Sequence, residues 1–175
     1  MDVSNPAWHQ KIVKWIGEDI QGIDGIFLDD AAPTPHERDF KHLPKGYRKE
    51  VYASNMKKLL SKVKKNTSLL VFINGISKGV NYPGYLENVD GGLIEGFIFS
   101  ARGKGVRLKS LNEGLKALIK TGRTNKSVFI NSKSSMHSIS DRVFALASYL
   151  LGANENSGYN FMDAKHQLTD PLQYY

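Results

Sequence analysis

The sequence predicts an α/β protein built on parallel strands, and three observations predict it. Five short apolar, β-branched or aromatic runs recur along 175 residues: Gly25-Ile26-Phe27-Leu28, Leu69-Leu70-Val71-Phe72-Ile73, Gly92-Leu93-Ile94, Ser127-Val128-Phe129-Ile130 and Gly158-Tyr159-Asn160-Phe161. They alternate little, as strands covered on both faces do. Amphipathic segments of helical period separate them, and each strand-plus-helix unit takes about 30 residues, the size of a βα repeat with a right-handed crossover. On these grounds an open sheet and part of a barrel fit equally.

The first helix is read from Trp8, Ile12, Ile16 and Ile20, four residues apart, with Ser4 or Asn5 as cap and Pro6 in the first turn. The first strand follows at Gly25. From Asp30 to Gly46, Pro33, Pro35 and Pro44 prevent regular helix or central strand, so a long loop is expected. Tyr52, Met56, Leu59, Leu60 and Val63 mark a second helix. Leu108, Leu111, Leu115 and Leu118 mark a third, with Ser110 near its start and Gly122 at its end. Ile139, Val143, Leu146, Ala147 and Leu150 mark a fourth, opened by Ser138 or Ser140 with Asp141 and closed by Gly152. Each stripe is expected to pack on a sheet. Phe97-Ile98-Phe99-Ser100 fits either a prolonged third strand or a loop past it.

Composition narrows the function classes. Hydrophobic residues at 41% and charged residues at 23% belong to a folded chain, with no linker that would divide residues 1–175 into two domains. The length is short of the roughly 250 residues of a closed eight-stranded barrel. With no cysteine, thiolate zinc sites, iron–sulfur clusters, disulfides and cysteine nucleophiles are excluded. No apolar run reaches the ~18 residues of a membrane span, and Met1-Asp2-Val3-Ser4-Asn5-Pro6 carries no leader pattern, so the chain as written is expected to be neither membrane-inserted nor secreted. The compartment stays unassigned. Twenty-four Lys and Arg against 17 Asp and Glu give a net charge of +7, which admits an anionic polymer as partner. The lysines read more simply as solvated helix faces, and no RNA-binding motif, finger spacing or aromatic-rich basic ribbon accompanies them, which disfavours nucleic acid.

Parallel α/β folds collect functional side chains where strands end. The five runs lead into Asp29-Asp30, Asn74-Gly75, Glu95-Gly96, Asn131-Ser132 and Phe161-Met162-Asp163. Turns favour Asp, Asn and Gly, but Glu95 is neither a turn nor a strand residue by preference. Asp29 or Asp30, together with Glu95, would supply what glycoside hydrolysis requires: one carboxylic acid for the leaving oxygen and one carboxylate for nucleophile or base. A capping Asp and a Glu paired with a neighbouring Arg, Arg102 for instance, fits the spacing equally well. Strand alternation puts Asp29 with Phe27 and Asp30 with Leu28, so only one faces a site. Asn74 and Asn131 would bind sugar hydroxyls, with Tyr159 or Tyr82 as a stacking surface; turn-forming asparagines and core-edge tyrosines fit these positions equally well.

Four segments carry a resemblance: Asn5-Pro6-Ala7-Trp8, the stretch Gly22-Ile23-Asp24-Gly25-Ile26-Phe27-Leu28-Asp29-Asp30, the stretch Val89-Asp90-Gly91-Gly92-Leu93-Ile94-Glu95-Gly96-Phe97, and Ala147-Ser148-Tyr149-Leu150-Leu151. They resemble the glycoside hydrolase-like TIM-barrel families, the hypothetical glycosyl hydrolase 15 group especially, and more distantly the endo-α-1,4-polygalactosaminidase barrels. The resemblance implies a partial (β/α)8 TIM barrel covering about the last five strands, with Asp29 and Glu95 as catalytic residues; the strand-end reading adds Asp30, Asn74, Asn131 and Tyr159 at the substrate. The resemblance also implies a polysaccharide or oligosaccharide substrate and no cofactor. A chain of this extent would leave two open edges and a half-exposed lumen, closed by self-association or by a complementing chain. Full-length relatives of this kind are expected to include secreted proteins.

Rival chemistries find less support. His36, Glu37, Asp39 and His42 lack metal-ligand spacing on a helix, and no metal is expected. Arg102-Gly103-Lys104-Gly105 matches no phosphate loop, and no G-x-S-x-G elbow occurs. The alternative to a hydrolase is a remnant of such a barrel that binds a carbohydrate or an anionic polymer without cleaving it.

Overall fold

The computed structural model describes residues 3–18, 22–35, 48–99, 108–135 and 137–163. Among these residues, five α-helices and five strands alternate as α1 (Pro6–Glu18), β1 (Gly25–Leu28), α2 (Lys49–Lys65), β2 (Leu70–Asn74), the one-turn α3 (Ile76–Gly79), β3 (Gly91–Glu95), α4 (Leu108–Gly122), β4 (Ser127–Ser134), α5 (Ile139–Leu150) and β5 (Ser157–Asp163). The pairs β1·β2, β2·β3 and β4·β5 are parallel. This is the α/β class of parallel βα repeats that the sequence predicts, with the connectivity of part of a (β/α)8 barrel. Contacts gather into two compact units, Met1–Leu93 and Ile94–Tyr175.

In the first unit, α1 starts as its sequence dictates. Asn5 Oδ1 accepts from the Ala7 N–H at 2.9 Å and Pro6 fills a position whose N–H would have no partner. Ile16 is buried, and Ile20 lies outside the described residues. Helix α2 buries the whole expected stripe, Tyr52, Met56, Leu59, Leu60 and Val63, together with Ala53. Glu50 in its first turn and Lys62, Lys64 and Lys65 in its last complement the helix dipole. Gly25 to Leu28 run level with Leu70 to Ile73, and Phe72 to Asn74 with Gly91 to Leu93. Asp90 secures the second of these registers. Its backbone N–H donates to Val71 O at 2.8 Å, while its Oδ2 accepts from the Val71 N–H at 2.8 Å and from Lys64 Nζ at 2.6 Å. One side chain thereby ties the entry of β3 to β2 and to the end of α2.

The strands are not covered on both faces, contrary to the sequence reading. Ile26, Val71 and Ile73 are buried, whereas Phe27 and Leu70 stay about half exposed. Helical layers cover one side, and the other side is the one a closed barrel turns to its lumen. The loop after β1 is fixed from below. Tyr85 is 1% exposed and donates its hydroxyl to Ala31 O at 2.8 Å. Gly75 has φ of +109°, and a Cβ there would meet the Ala32 Cβ at 2.7 Å, so only glycine permits this approach. Burial, with Tyr52 and Tyr82 nearby, pushes the Tyr85 phenol well above its ordinary value.

In the second unit, β4 runs past the expected end at Ile130 to Ser134 and pairs with β5 from Val128↔Ser157 to Ser134↔Asp163. Burial alternates along it, with Val128, Ile130, Ser132 and Ser134 buried and Phe129 half exposed. Phe97 to Phe99 do not prolong β3. The chain turns at Gly96, with φ of +67°, and lies against β4 through Phe97 N–H to Asn131 O at 3.1 Å and Lys133 N–H to Phe99 O at 3.4 Å. Helix α4 buries Ala117 and Leu118 but exposes Leu108.

Helix α5 corrects the largest expectation. It buries Ala145, Ser148 and Tyr149, while Ile139, Val143, Leu146 and Leu150 lie on its far side, with Ile139 72% and Leu150 62% exposed. Polar anchors set this rotation. Tyr149 donates to Ser157 O at 3.0 Å and stacks on Tyr159 at 5.2 Å, and Ser134 Oγ donates to Asp141 Oδ2 at 2.5 Å. The predicted cap holds, with Ser138 Oγ accepting from the Asp141 N–H.

Two outcomes are expected in urea unfolding. Asp90→Ala should cost about 2–3 kcal/mol, because it removes a charge-assisted acceptor and leaves the Val71 N–H without it, whereas Ile139→Ser should stay within about 0.5 kcal/mol. Tyr85 adds a pH dependence. A phenol whose folded pKa exceeds its unfolded value of about 10 contributes its full stability below that value and loses it as pH rises toward the folded one. The unfolding midpoint should therefore drop between ~pH 9 and ~pH 11 by more in the natural chain than in Tyr85→Phe.

Candidate active site

In the first unit, the polar residues expected at the ends of β1 and β2 come together. Leu28 is level with Ile73, so the next residues, Asp29 and Asn74, emerge side by side. Asn74 Nδ2 donates to Asp29 Oδ1 at 3.0 Å, and the Asp30 N–H donates to the same oxygen at 2.8 Å. Asp29 Oδ2 has no hydrogen-bond partner among the described residues, and the carboxylate is exposed. Asp30 is exposed in the left-handed region, at φ of +52°, which a short polar side chain tolerates. That turn redirects the chain into the loop fixed by Tyr85 and Gly75, so the backbone behind Asp29 is held on two sides. Tyr82 lies beside Tyr85, ring centroids 6.5 Å apart.

In the second unit, Glu95 ends β3 and Lys133 reaches it from β4, Nζ to Oε1 at 3.1 Å. Arg102, the partner weighed from the sequence, lies outside the described residues, as do His36, Glu37, Asp39, His42 and the Arg102–Gly105 loop. Asn131 is two residues from Lys133 on the same strand face. Its Nδ2 donates to Met162 Sδ at 3.0 Å, and its Oδ1 is buried with no hydrogen-bond partner among the described residues. A buried amide oxygen without a donor is costly, so a hydroxyl or water reaching it would be well bound.

Tyr159 takes a different place from the one expected. Tyr159 is level with Ile130 and its ring stacks on Tyr149 of α5, so it occupies the helix-covered face and not the face of Asn131. Burial pushes its phenol up, with Ser132 and Arg142 acting in the opposite direction.

Lys133 is the functional candidate that the sequence reading missed. Ending β4 at Ile130 hid it; the alternation of Val128, Ile130, Ser132 and Ser134 against Asn131 and Lys133 was the available signal. Among the described residues no three His, Asp or Glu side chains gather as metal ligands, and no helix is long and apolar enough to cross a membrane. The chemistry on offer is that of carboxylates and amides: proton donation and acceptance, anionic attack, and hydrogen bonding to hydroxyls.

No curated protein matches the sequence. Among solved structures, the fold is similar to the glycoside hydrolase domain of PelA from Pseudomonas aeruginosa, with a TM-score of 0.65 and 19% identity over 93% of this chain. The chain spans 62% of that protein's chain, so it accounts for less than two thirds of its length. The family model described as hypothetical glycosyl hydrolase family 15 matches residues 1–175. With its whole length matched, the chain belongs to the hypothetical glycosyl hydrolase family 15.

Proposed function

We propose that the protein hydrolyses O-glycosidic bonds of a polysaccharide with Asp29 and Glu95 as its acidic pair. The observation that carries this reading is that each carboxylate leaves the C-terminal end of a parallel strand and is held there by a donor from the adjacent strand, Asn74 for Asp29 and Lys133 for Glu95. Family membership and the likeness to a glycoside hydrolase domain support it. In the reaction, one carboxylic acid of the pair gives its proton to the leaving oxygen as the bond from that oxygen to the anomeric carbon breaks. The other, as carboxylate, attacks the anomeric carbon or takes a proton from the water that does, and the water's oxygen ends on the sugar. Asp30, Asn74 and Asn131 contact sugar hydroxyls, with the Asn131 Oδ1 accepting. Tyr159, turned toward α5, has no part in this.

The test is release of reducing ends from a panel of soluble α- and β-linked polysaccharides. The natural chain should cleave at least one, and Asp29→Asn or Glu95→Gln should lower kcat by about 10²–10⁴-fold while binding of that polysaccharide persists. Affinity without turnover in the natural chain would establish the non-cleaving binding protein in place of the hydrolase.

A further inference from the structure

Lys133 sits where an apolar residue would be the simpler choice. It lies between Phe99 on one side, through its own N–H, and Met162, its register neighbour on β5. Its side chain is 21% exposed, so most of it is withdrawn from water, and placing an ammonium there carries a desolvation cost. The partner carboxylate of Glu95 is 39% exposed, and an ion pair this open contributes little to stability. Stability therefore does not account for the lysine.

Geometry does. The backbone around the pair is fixed on both sides: Phe97 N–H to Asn131 O follows Glu95, and Lys133 N–H to Phe99 O lies just beyond. Phe97 and Ile98 are each 2% exposed, which anchors the segment after Gly96. Both ends of the ion pair rise from restrained backbone, so the contact to Oε1 selects one orientation of the Glu95 carboxylate.

We infer that Lys133 is the positioning residue of Glu95, fixing the orientation of its carboxyl group. Its consequence for turnover rests on the hydrolase reading above. Lys133 itself touches Glu95 and not the bond that is cleaved.

The experiment compares Lys133→Met, which keeps length and removes charge, with Lys133→Arg, which keeps charge. On the polysaccharide that the natural chain cleaves, Lys133→Met should lower kcat about 10–100-fold with KM within about twofold, and Lys133→Arg should recover most of that loss. Independently of activity, the carbon-13 carboxyl resonance of Glu95, identified by its disappearance in Glu95→Gln, should move in Lys133→Met and return toward its original position in Lys133→Arg. Unchanged thermal unfolding of both variants places the effect on orientation. A Glu95 resonance that ignores Lys133→Met overturns the inference whatever the activity, and a rise in KM with kcat intact also overturns it, by putting Lys133 on the sugar. If the natural chain cleaves nothing while the resonance moves as expected, the positioning holds and only the hydrolase reading falls.

Discussion

The hydrogen bond from the buried Tyr85 hydroxyl to the Ala31 carbonyl governs the course of the chain out of β1 in the first unit. It joins residues 54 positions apart and closes off a carbonyl that the loop after β1 would otherwise leave unpaired in the interior. Gly75, free of a Cβ, lets the turn after β2 press on Ala32 from the other side. Between these two restraints the chain has one course out of β1, through Asp29 and the left-handed Asp30. The Asp29 carboxylate meets Asn74 because the backbone behind it is not free to move. A loop of this length without such anchors would carry the same residues without presenting them.

Two acidic residues within one short stretch illustrate how position separates structure from chemistry. Asp90 precedes β3 and spends its oxygen on the Val71 N–H and Lys64, which fixes register at the amino end of the strand. Glu95 ends the same strand and meets a cation from β4 while remaining open to solvent. Parallel βα repeats make this division general, since loops that enclose a ligand follow the carboxyl ends and the amino ends carry stability. Replacing either residue removes a negative charge, yet the first loss acts on folding and, under the proposed function, the second acts on catalysis.

Much of this was legible in the sequence where periodicity and burial coincide. All five residues of the α2 stripe are buried, β1 begins and ends where its apolar run does, and Asn5 with Pro6 opens α1. The α5 stripe was misread because amphipathic spacing gives a helix its two faces but not which face the sheet covers. Tyr149, Ser148 and Asp141 decide that through hydrogen bonds and a ring stack formed with residues that precede or follow the helix. The far end of β4 was hidden by polarity, since Ser132 and Ser134 are buried polar residues that a hydrophobic count passes over. With that end went Lys133 and the true neighbour of Glu95. The strand-end positions of Asp29, Asn74 and Glu95 were readable because turns, amides and an out-of-place Glu announce strand ends; the face of Tyr159 was not, because one residue of register decides it.

Members of a catalytic pair act on one transition state, so removing the second after the first should cost little more. The measurement that bears most directly on the account is kcat for Asp29→Asn, Glu95→Gln and the double variant on a polysaccharide that the natural chain cleaves. The account predicts that the double variant keeps the same residual rate as the weaker single variant. Losses that multiply, or a single variant that turns over at the natural rate, would contradict it.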